Sequence, residues 1–121
     1  MKLFLDDIRI PTDCIHYMHQ RIGNLNPIYL QEWKIARNYQ EFVDLVEENI
    51  DVITHVSFDH DLADEHYDHE TWGRDMYLEK TGYDCAKWMK DFYQKKDTDL
   101  PVMFIHSMNP IGTQKIINLF K

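Results

Sequence analysis

Short apolar runs alternate along the chain with stretches whose apolar residues lie three or four apart, a pattern that predicts strands alternating with helices. The short runs predict four strands, at Leu3 to Leu5, Trp33 to Arg37, Ile53 to Phe58 and Val102 to Ile105. We therefore expect an α/β fold in which consecutive strands are parallel and are joined by right-handed crossovers.

Three main helices are predicted by their capping residues as well as by their spacing. Asn38 and Thr81 precede Glu41 and Asp84, respectively, by three residues, which is the register of a capping box. Asn109 precedes Pro110, a residue well suited to the first position of a helix. Each predicted helix has one apolar face. In chain order the residues of these faces are Phe42, Val43, Val46 and Ile50; Cys85, Trp88, Met89 and Phe92; Ile111, Ile116, Ile117 and Phe120.

Two segments do not follow this pattern. Residues 10–31 contain Pro11, Gly23 and Pro27, and they predict a long crossover with at most one weak helix. Residues 63–80 are rich in acids and lack an apolar period, which indicates a surface excursion near the end of the third strand that could act as a lid.

Length and composition limit the class of protein. A chain of 121 residues and 14.7 kDa has room for one domain, residues 1–121, which we expect to be a three-layer open parallel sheet of about four strands. The formal net charge of −8 argues against extended nucleic acid as a partner. No apolar run is long enough to span a membrane, and Cys14 and Cys85 lack metal or redox spacing. We expect a soluble, unexported, cytoplasmic protein with reduced thiols.

Reactive side chains follow three of the four predicted strands. Because parallel strands end at the same edge of a sheet, Asp6 and Asp7, Asp59 to Asp61, and His106 with Ser107 should converge there. Several carboxylates in one cleft repel one another unless a cation is bound, and oxygen ligands favour Mg²⁺ over Zn²⁺. The expected metal ligands are Asp6, Asp7 and Asp59. In the alternative interpretation these acids cap loops or pair with Arg9 and Arg37.

Two histidines are candidates for acid and base catalysis. His60 and His106 follow neighbouring strands, and imidazoles titrate near neutrality. A histidine at a strand end is often only a polar loop residue, and we interpret His55 as structural. His66 and His69 are interpreted as part of a solvated face, because their spacing is not that of a helical zinc site.

A third group of residues is suited to binding a phosphate. Arg9 and Arg37 could neutralise it, although each could equally form a structural ion pair. Ser107 could donate a hydrogen bond, and the N–H groups near Ile111 and Gly112 could hold an oxygen at a helix start. We expect Asp61 to bind the substrate or to support the metal ligands from behind. Asn109 is also a candidate for substrate binding, and its alternative role is that of a helix N-cap.

Four separated motifs carry a family resemblance that spans nearly the whole chain. The runs are FLDDIRIP at 4–11, SFDHDL at 57–62, TGYDCAKW at 81–88 and HSMNPIG at 106–112. Together they resemble the cyclic-phosphate processing receiver-like domain family of bacteria and their phages. The resemblance implies a trimmed response-regulator receiver fold.

The resemblance also implies roles for individual residues. Asp6 and Asp7 match the metal-binding acid pair, Asp59 matches the phospho-accepting position and Ser107 matches the switch hydroxyl. His60 and His106 match the added histidines that are thought to redirect the site toward hydrolysis. No fifth strand with the receiver lysine is expected after the last helix, which argues against phosphorelay signalling.

The leading hypothesis is a Mg²⁺-dependent phosphoesterase acting on small cyclic phosphates, with Asp59 as metal ligand or nucleophile. By resemblance the substrates are 2′,3′-cyclic phosphates, cyclic nucleotides or an ADP-ribose cyclic phosphate, in a bacterial or phage-infected cell. The alternative is a non-catalytic module that binds such a ligand or accepts a phosphoryl group. A small interaction domain is disfavoured because the acids cluster.

Overall fold

The strands form one parallel sheet, as the alternating pattern predicts. The computed structural model describes residues 1–16, 26–62 and 80–121. Its strands are β1 (Lys2–Leu5), β2 (Lys34–Ala36), β3 (His55–Phe58) and β4 (Val102–Ile105). They lie in the order β2-β1-β3-β4, and every neighbouring pair is parallel. The predicted α/β class and the small receiver-like sheet are confirmed.

Two strands are shorter than predicted, for local reasons. At the end of β2 the Arg37 N–H donates to the Glu41 side chain in the next helix. Just before β2 the Trp33 indole donates to the carbonyl of Ile28, which ties this residue to the preceding 3₁₀ helix. The Ile53 N–H donates to the carbonyl of Asn49, which closes the preceding helix, so β3 begins at His55.

The three main helices begin at the predicted caps. The helices are α1 (Asp13–His16), α2 (Tyr39–Asn49), α3 (Gly82–Lys95) and α4 (Pro110–Leu119), with a short 3₁₀ helix at Pro27–Leu30. The side chains of Asn38, Thr81 and Asn109 each accept a backbone N–H of the first turn, and Thr81 with Asp84 completes a capping box.

The sheet separates two apolar layers, because side chains alternate between the faces of each strand. On one face Leu5, Val56 and Phe58 pack against α2, α3 and α4. On the other, Phe4 packs against Cys14, Tyr29 and Trp33 from the segment that contains α1 and the 3₁₀ helix. The three-layer arrangement is thereby confirmed, with one layer made of short elements.

Several predicted features lie wholly or partly outside the described residues. They are residues 63–79 of the possible lid at 63–80, the solvated histidines His66 and His69, and residues 17–25 of the predicted crossover at 10–31. Both cysteines are free thiols, as predicted. Among the described residues, no helix is long and apolar enough to cross a bilayer.

Candidate functional site

The ends of three adjacent strands place the predicted site residues side by side. Leu5, Phe58 and Ile105 are partners in the sheet register, and Asp6, Asp59 and His106 follow them directly. The Asp59 N–H donates to the carbonyl of Leu5 at 3.0 Å, and the His106 N–H donates to that of Phe58 at 2.9 Å. The predicted convergence at the carboxyl edge is therefore confirmed.

Asp6 is fully buried and strongly hydrogen-bonded. Its Oδ1 accepts the N–H groups of Ile8 and Arg9 at 3.0 and 2.9 Å, and its Oδ2 lies 3.2 Å from Nε2 of His106. Burial opposes ionisation, but the hydrogen bond and charge of His106, together with the two N–H donors, lower the pKa of Asp6 below its ordinary value. Asp6 is therefore held as a fixed carboxylate.

Asp59 is in the opposite situation. Only 2% of the residue is exposed, Oδ1 accepts the His60 N–H at 2.8 Å, and Oδ2 has no hydrogen-bond partner among the described residues. Burial raises the pKa of Asp59 well above its ordinary value, and the charges of Asp6 and Asp61 raise it further, against the effect of Arg9. Among the residues with a described position, the charge of Arg9 is too weak to offset these effects on the ionised form.

A divalent cation fits this donor set. Asp6, Asp7 and Asp59 each offer a carboxylate oxygen, and these oxygens all lie within 4.8 Å of one another. All three donors are hard oxygens, which Mg²⁺ prefers, and the buried Asp59 Oδ2 accepts no hydrogen bond from any residue that the structure describes. The three predicted ligands are thus brought together, and their role as ligands stays a prediction.

His106 is buried beneath the acids and not exposed at a cleft. The residue has no exposed surface, its ring stacks on Phe4 with centroids 4.2 Å apart, and its Nδ1 lies 2.7 Å from Oγ of Ser57. Burial lowers the pKa of His106, although Asp6 acts in the opposite direction. Both ring nitrogens are therefore engaged by protein groups, which does not suit a group that exchanges protons with a substrate.

His60 is held differently. Its Nδ1 lies 2.9 Å from Oδ1 of Asp61, an imidazole and carboxylate pair of the kind that orients a catalytic base. The same Asp61 oxygen accepts Nδ2 of Asn109 at 3.1 Å. The ring rests against Gly112, where a Cβ atom would overlap it. Asp61 and Asn109 thus fix the orientation of His60.

The expected phosphate-binding role of Gly112 needs correction. Its N–H donates to Oδ1 of Asn109 at 3.0 Å, so the cap of α4 already uses it. Because the glycine lacks a side chain, the close approach that it permits is that of the His60 ring.

The remaining predicted phosphate-binding residues are arranged around the loop after β1 and the start of α4. Nη1 of Arg37 donates to the carbonyls of Arg9 and Asp6 at 2.7 and 3.3 Å, so this side chain braces the loop. Arg9 is partly buried and close enough for its charge to favour ionised Asp59. Oγ of the buried Ser107 accepts the Asn109 N–H at 3.1 Å.

Sequence reasoning missed Ser57 and Tyr29, which lie behind His106. Ser57 is buried in the middle of β3, and the Tyr29 hydroxyl is 2.7 Å from its Oγ. The available signal was the polar Ser57 between the apolar Val56 and Phe58, two residues before Asp59. Tyr29 gave no signal, because it belongs to the irregular segment before β2.

An open cavity of about 420 Å³ lies at the opposite edge of the sheet. Its lining includes Lys2 and Lys34, the first residues of β1 and β2, together with Trp33. The acidic cluster is at the carboxyl edge, so the cavity is separate from the candidate site.

The fold and the site together define a class: a small receiver-like α/β domain with an acidic cluster at the carboxyl edge of a parallel sheet. The comparisons with known proteins give the family. The chain belongs to the cyclic-phosphate processing receiver domain family, whose model matches residues 1–121. The comparisons found no match to a curated protein or to a solved structure.

Proposed function

We propose that this domain is a Mg²⁺-dependent phosphoesterase that opens small cyclic phosphates in the cytoplasm of a bacterial or phage-infected cell. The observation that carries the proposal is the carboxylate cluster of the buried Asp6 and Asp59 with the half-buried Asp7, in which Asp59 Oδ2 has no hydrogen-bond partner among the described residues. The family membership supports a cyclic phosphate as the substrate class.

Each of the site residues has a distinct task in this proposal. Asp6, Asp7 and Asp59 hold the cation, which when bound offsets their repulsion and polarises a phosphate oxygen. Arg9 supplies positive charge for the phosphate, and Ser107, which follows His106 at the same edge of the sheet, is a further polar group for it. Arg37 keeps the loop after β1 in place through its bonds to backbone carbonyls.

Ring opening adds water across one P–O bond of the cyclic phosphate. A proton must leave the attacking water, and a proton must reach the oxygen whose bond to phosphorus breaks. His60 is the better candidate for holding this proton, because Asp61 orients its ring whereas His106 has no exposed surface.

The test is a panel of substrates: 2′,3′-cyclic and 3′,5′-cyclic nucleotides and an ADP-ribose cyclic phosphate. We expect turnover of at least one of them with Mg²⁺, none with a chelator, and loss of turnover in Asp59→Asn. The exposed Asp99→Asn is the matched control, because it removes the same charge elsewhere and should keep full activity.

Other outcomes have definite meanings. Chelator-insensitive turnover would contradict the metal assignment. Ligand binding without turnover in the wild type would favour the non-catalytic module instead. A phosphorylated wild-type protein in mass spectra, absent from Asp59→Asn, would show that Asp59 is a nucleophile.

A further inference from the structure

A continuous chain of hydrogen bonds connects Tyr29, which covers one face of the sheet, to Asp6 at the carboxyl edge. The Tyr29 hydroxyl is 2.7 Å from Oγ of Ser57, Ser57 Oγ is 2.7 Å from Nδ1 of His106, and Nε2 of His106 is 3.2 Å from Oδ2 of Asp6. All four residues are fully buried, so water does not compete for these bonds.

The direction of the chain follows from its end. An ionised carboxylate only accepts hydrogen bonds, so Nε2 of His106 carries the proton that points to Asp6. In a neutral imidazole the other nitrogen, Nδ1, is then an acceptor, and the Ser57 hydroxyl must donate to it. Ser57 in turn accepts from Tyr29. Each hydroxyl hydrogen thus has one assigned acceptor, and the tautomer of His106 is fixed.

Aromatic neighbours on the sheet also fix the orientation of the His106 ring. Phe4, Ser57 and Phe104 are register partners on β1, β3 and β4, and they form one row on the face covered by Tyr29. His106 lies parallel to Phe4, with an interplanar angle of 8°. Ser57 is the polar member of this row, so its hydroxyl contributes hydrogen bonds and little packing.

We propose that Tyr29 and Ser57 are positioning residues that act through His106 to fix the carboxylate of Asp6 for cation binding. The inference rests on the proposed function in one respect, namely that Asp6 is a metal ligand. Partners one step removed from a metal ligand commonly change metal affinity by about tenfold to a hundredfold when they are removed.

The experiment measures Mn²⁺ affinity by electron paramagnetic resonance, with Mn²⁺ as the probe for the Mg²⁺ site. We expect Ser57→Ala to weaken Mn²⁺ binding by about tenfold or more, and Tyr29→Phe to weaken it by a smaller factor above about twofold. Nitrogen chemical shifts of His106 in the metal-free protein provide a second measurement. They should report the Nε2–H tautomer in the wild type and, in Ser57→Ala, a shifted Nδ1 resonance, because Nδ1 loses the hydroxyl that donates to it.

Tyr93→Phe is the matched control for Tyr29→Phe. Tyr93 is 1% exposed, and its hydroxyl has no hydrogen-bond partner among the described residues. The substitution therefore removes the same buried group without touching the chain to Asp6. It should leave Mn²⁺ affinity unchanged, which separates a positioning effect from a general loss of packing.

The outcomes distinguish this inference from the proposed function. Wild-type binding of Mn²⁺ that Ser57→Ala and Tyr29→Phe retain within about twofold would overturn the inference alone. An Nδ1–H tautomer in the wild type would also overturn it. Weakened Mn²⁺ binding in the variants with no turnover of any cyclic phosphate would uphold it and defeat the phosphoesterase. A wild type that binds no Mn²⁺ would overturn both. If Ser57→Ala does not fold, Tyr29→Phe against Tyr93→Phe decides.

Discussion

At the scale of single residues, Asp59 suits the proposed cation but lowers the stability of the metal-free fold when it is ionised. A buried carboxylate next to Asp6 and Asp61 is expensive to ionise, which is why its pKa is raised. The folded protein therefore binds a proton at Asp59 more tightly than the unfolded chain does. Without a cation, the ionised side chain destabilises the fold.

Asp59→Asn should consequently stabilise the metal-free protein. The amide keeps an oxygen for the His60 N–H and removes the unfavourable charge. We expect a gain of at least about 1 kcal/mol at pH 8, since an unsatisfied buried polar group costs about 1–3 kcal/mol and more when it is charged. In a domain of this size that is a rise of about 4 °C in Tm, measured by thermal unfolding in chelator.

The gain should depend on pH in a definite direction. Because the folded pKa of Asp59 is raised, its contribution to stability falls as pH rises from the unfolded value of about 4 through the folded one. The difference in unfolding free energy between Asp59→Asn and wild type should therefore be small near pH 4 and grow toward pH 8. A difference that is constant with pH, or that matches the exposed Asp99→Asn, would contradict this account.

At the scale of elements, the N-cap of α4 also organises the site. Oδ1 of Asn109 accepts the Gly112 N–H, while its Nδ2 donates to Asp61, which orients His60. One amide therefore links the start of a helix to the candidate base. An acid in this position would keep the capping oxygen and lose the donor.

Asn109→Asp is therefore expected to preserve α4 and damage the site. Two buried carboxylates would face each other where an amide now donates at 3.1 Å, at a cost of about 2 kcal/mol in the free energy of unfolding. Turnover should fall, because repulsion between the two carboxylates would displace Asp61 from the His60 ring that it orients. Urea unfolding and circular dichroism measure the two effects separately.

Asn38→Asp is the matched control for this prediction. Asn38 caps α2 and its Nδ2 also donates to a carboxylate, that of Glu41 at 3.2 Å, but the pair is exposed. Solvent screening should keep its effect within about 0.5 kcal/mol. Equal losses in the two variants would show that burial at Asn109 is not decisive.

The cap residues and the edge of the sheet could be predicted from sequence because their chemistry is local or follows from strand direction. Asn38, Thr81 and Asn109 precede their helices, and Asp6, Asp59 and His106 follow parallel strands. Ser57 and Tyr29 could not be predicted as a pair. Their contact spans 28 positions and depends on how an irregular segment folds over the sheet.

The task of each site residue was also less predictable than its location. The sequence treats His60 and His106 alike, since both follow strands. The structure separates them because Phe4 and Ser57 surround one ring, whereas Asp61 and Gly112 contact the other. Such differences come from neighbours that are far apart in the chain.

At the scale of the whole molecule, the two apolar layers differ in construction. One layer consists of α2, α3 and α4 around residues such as Met89 and Ile116. The other consists largely of short elements around Tyr29 and Trp33. Each layer contains one buried thiol, Cys85 in the first and Cys14 in the second. The thiols can therefore report on the two layers separately.

Both thiols should be unreactive in the folded protein. Burial is the main cause that raises the pKa of Cys14 to about 12, and burial likewise raises that of Cys85. Since only the thiolate reacts, alkylation at pH 8 requires the layer to open. We expect Cys14 to be alkylated faster than Cys85, because short elements open at lower free energy than packed helices.

Single-cysteine variants Cys14→Ala and Cys85→Ala allow mass spectrometry to assign each rate. A common rate for both thiols would mean that the layers open together as one cooperative unit. Labelling of Cys14 within the mixing time would mean that this layer does not protect it at all.

A backbone hydrogen bond beside the site joins the second residue after β3 to the first residue of α3. The Gly82 N–H donates to the carbonyl of His60 at 2.8 Å, and a methyl group at Gly82 would overlap the backbone of Asp59. The intervening stretch therefore starts and finishes at a common anchor. A larger residue at Gly82 would therefore push the backbone of Asp59 out of place, whatever the sequence of the chain between the two ends.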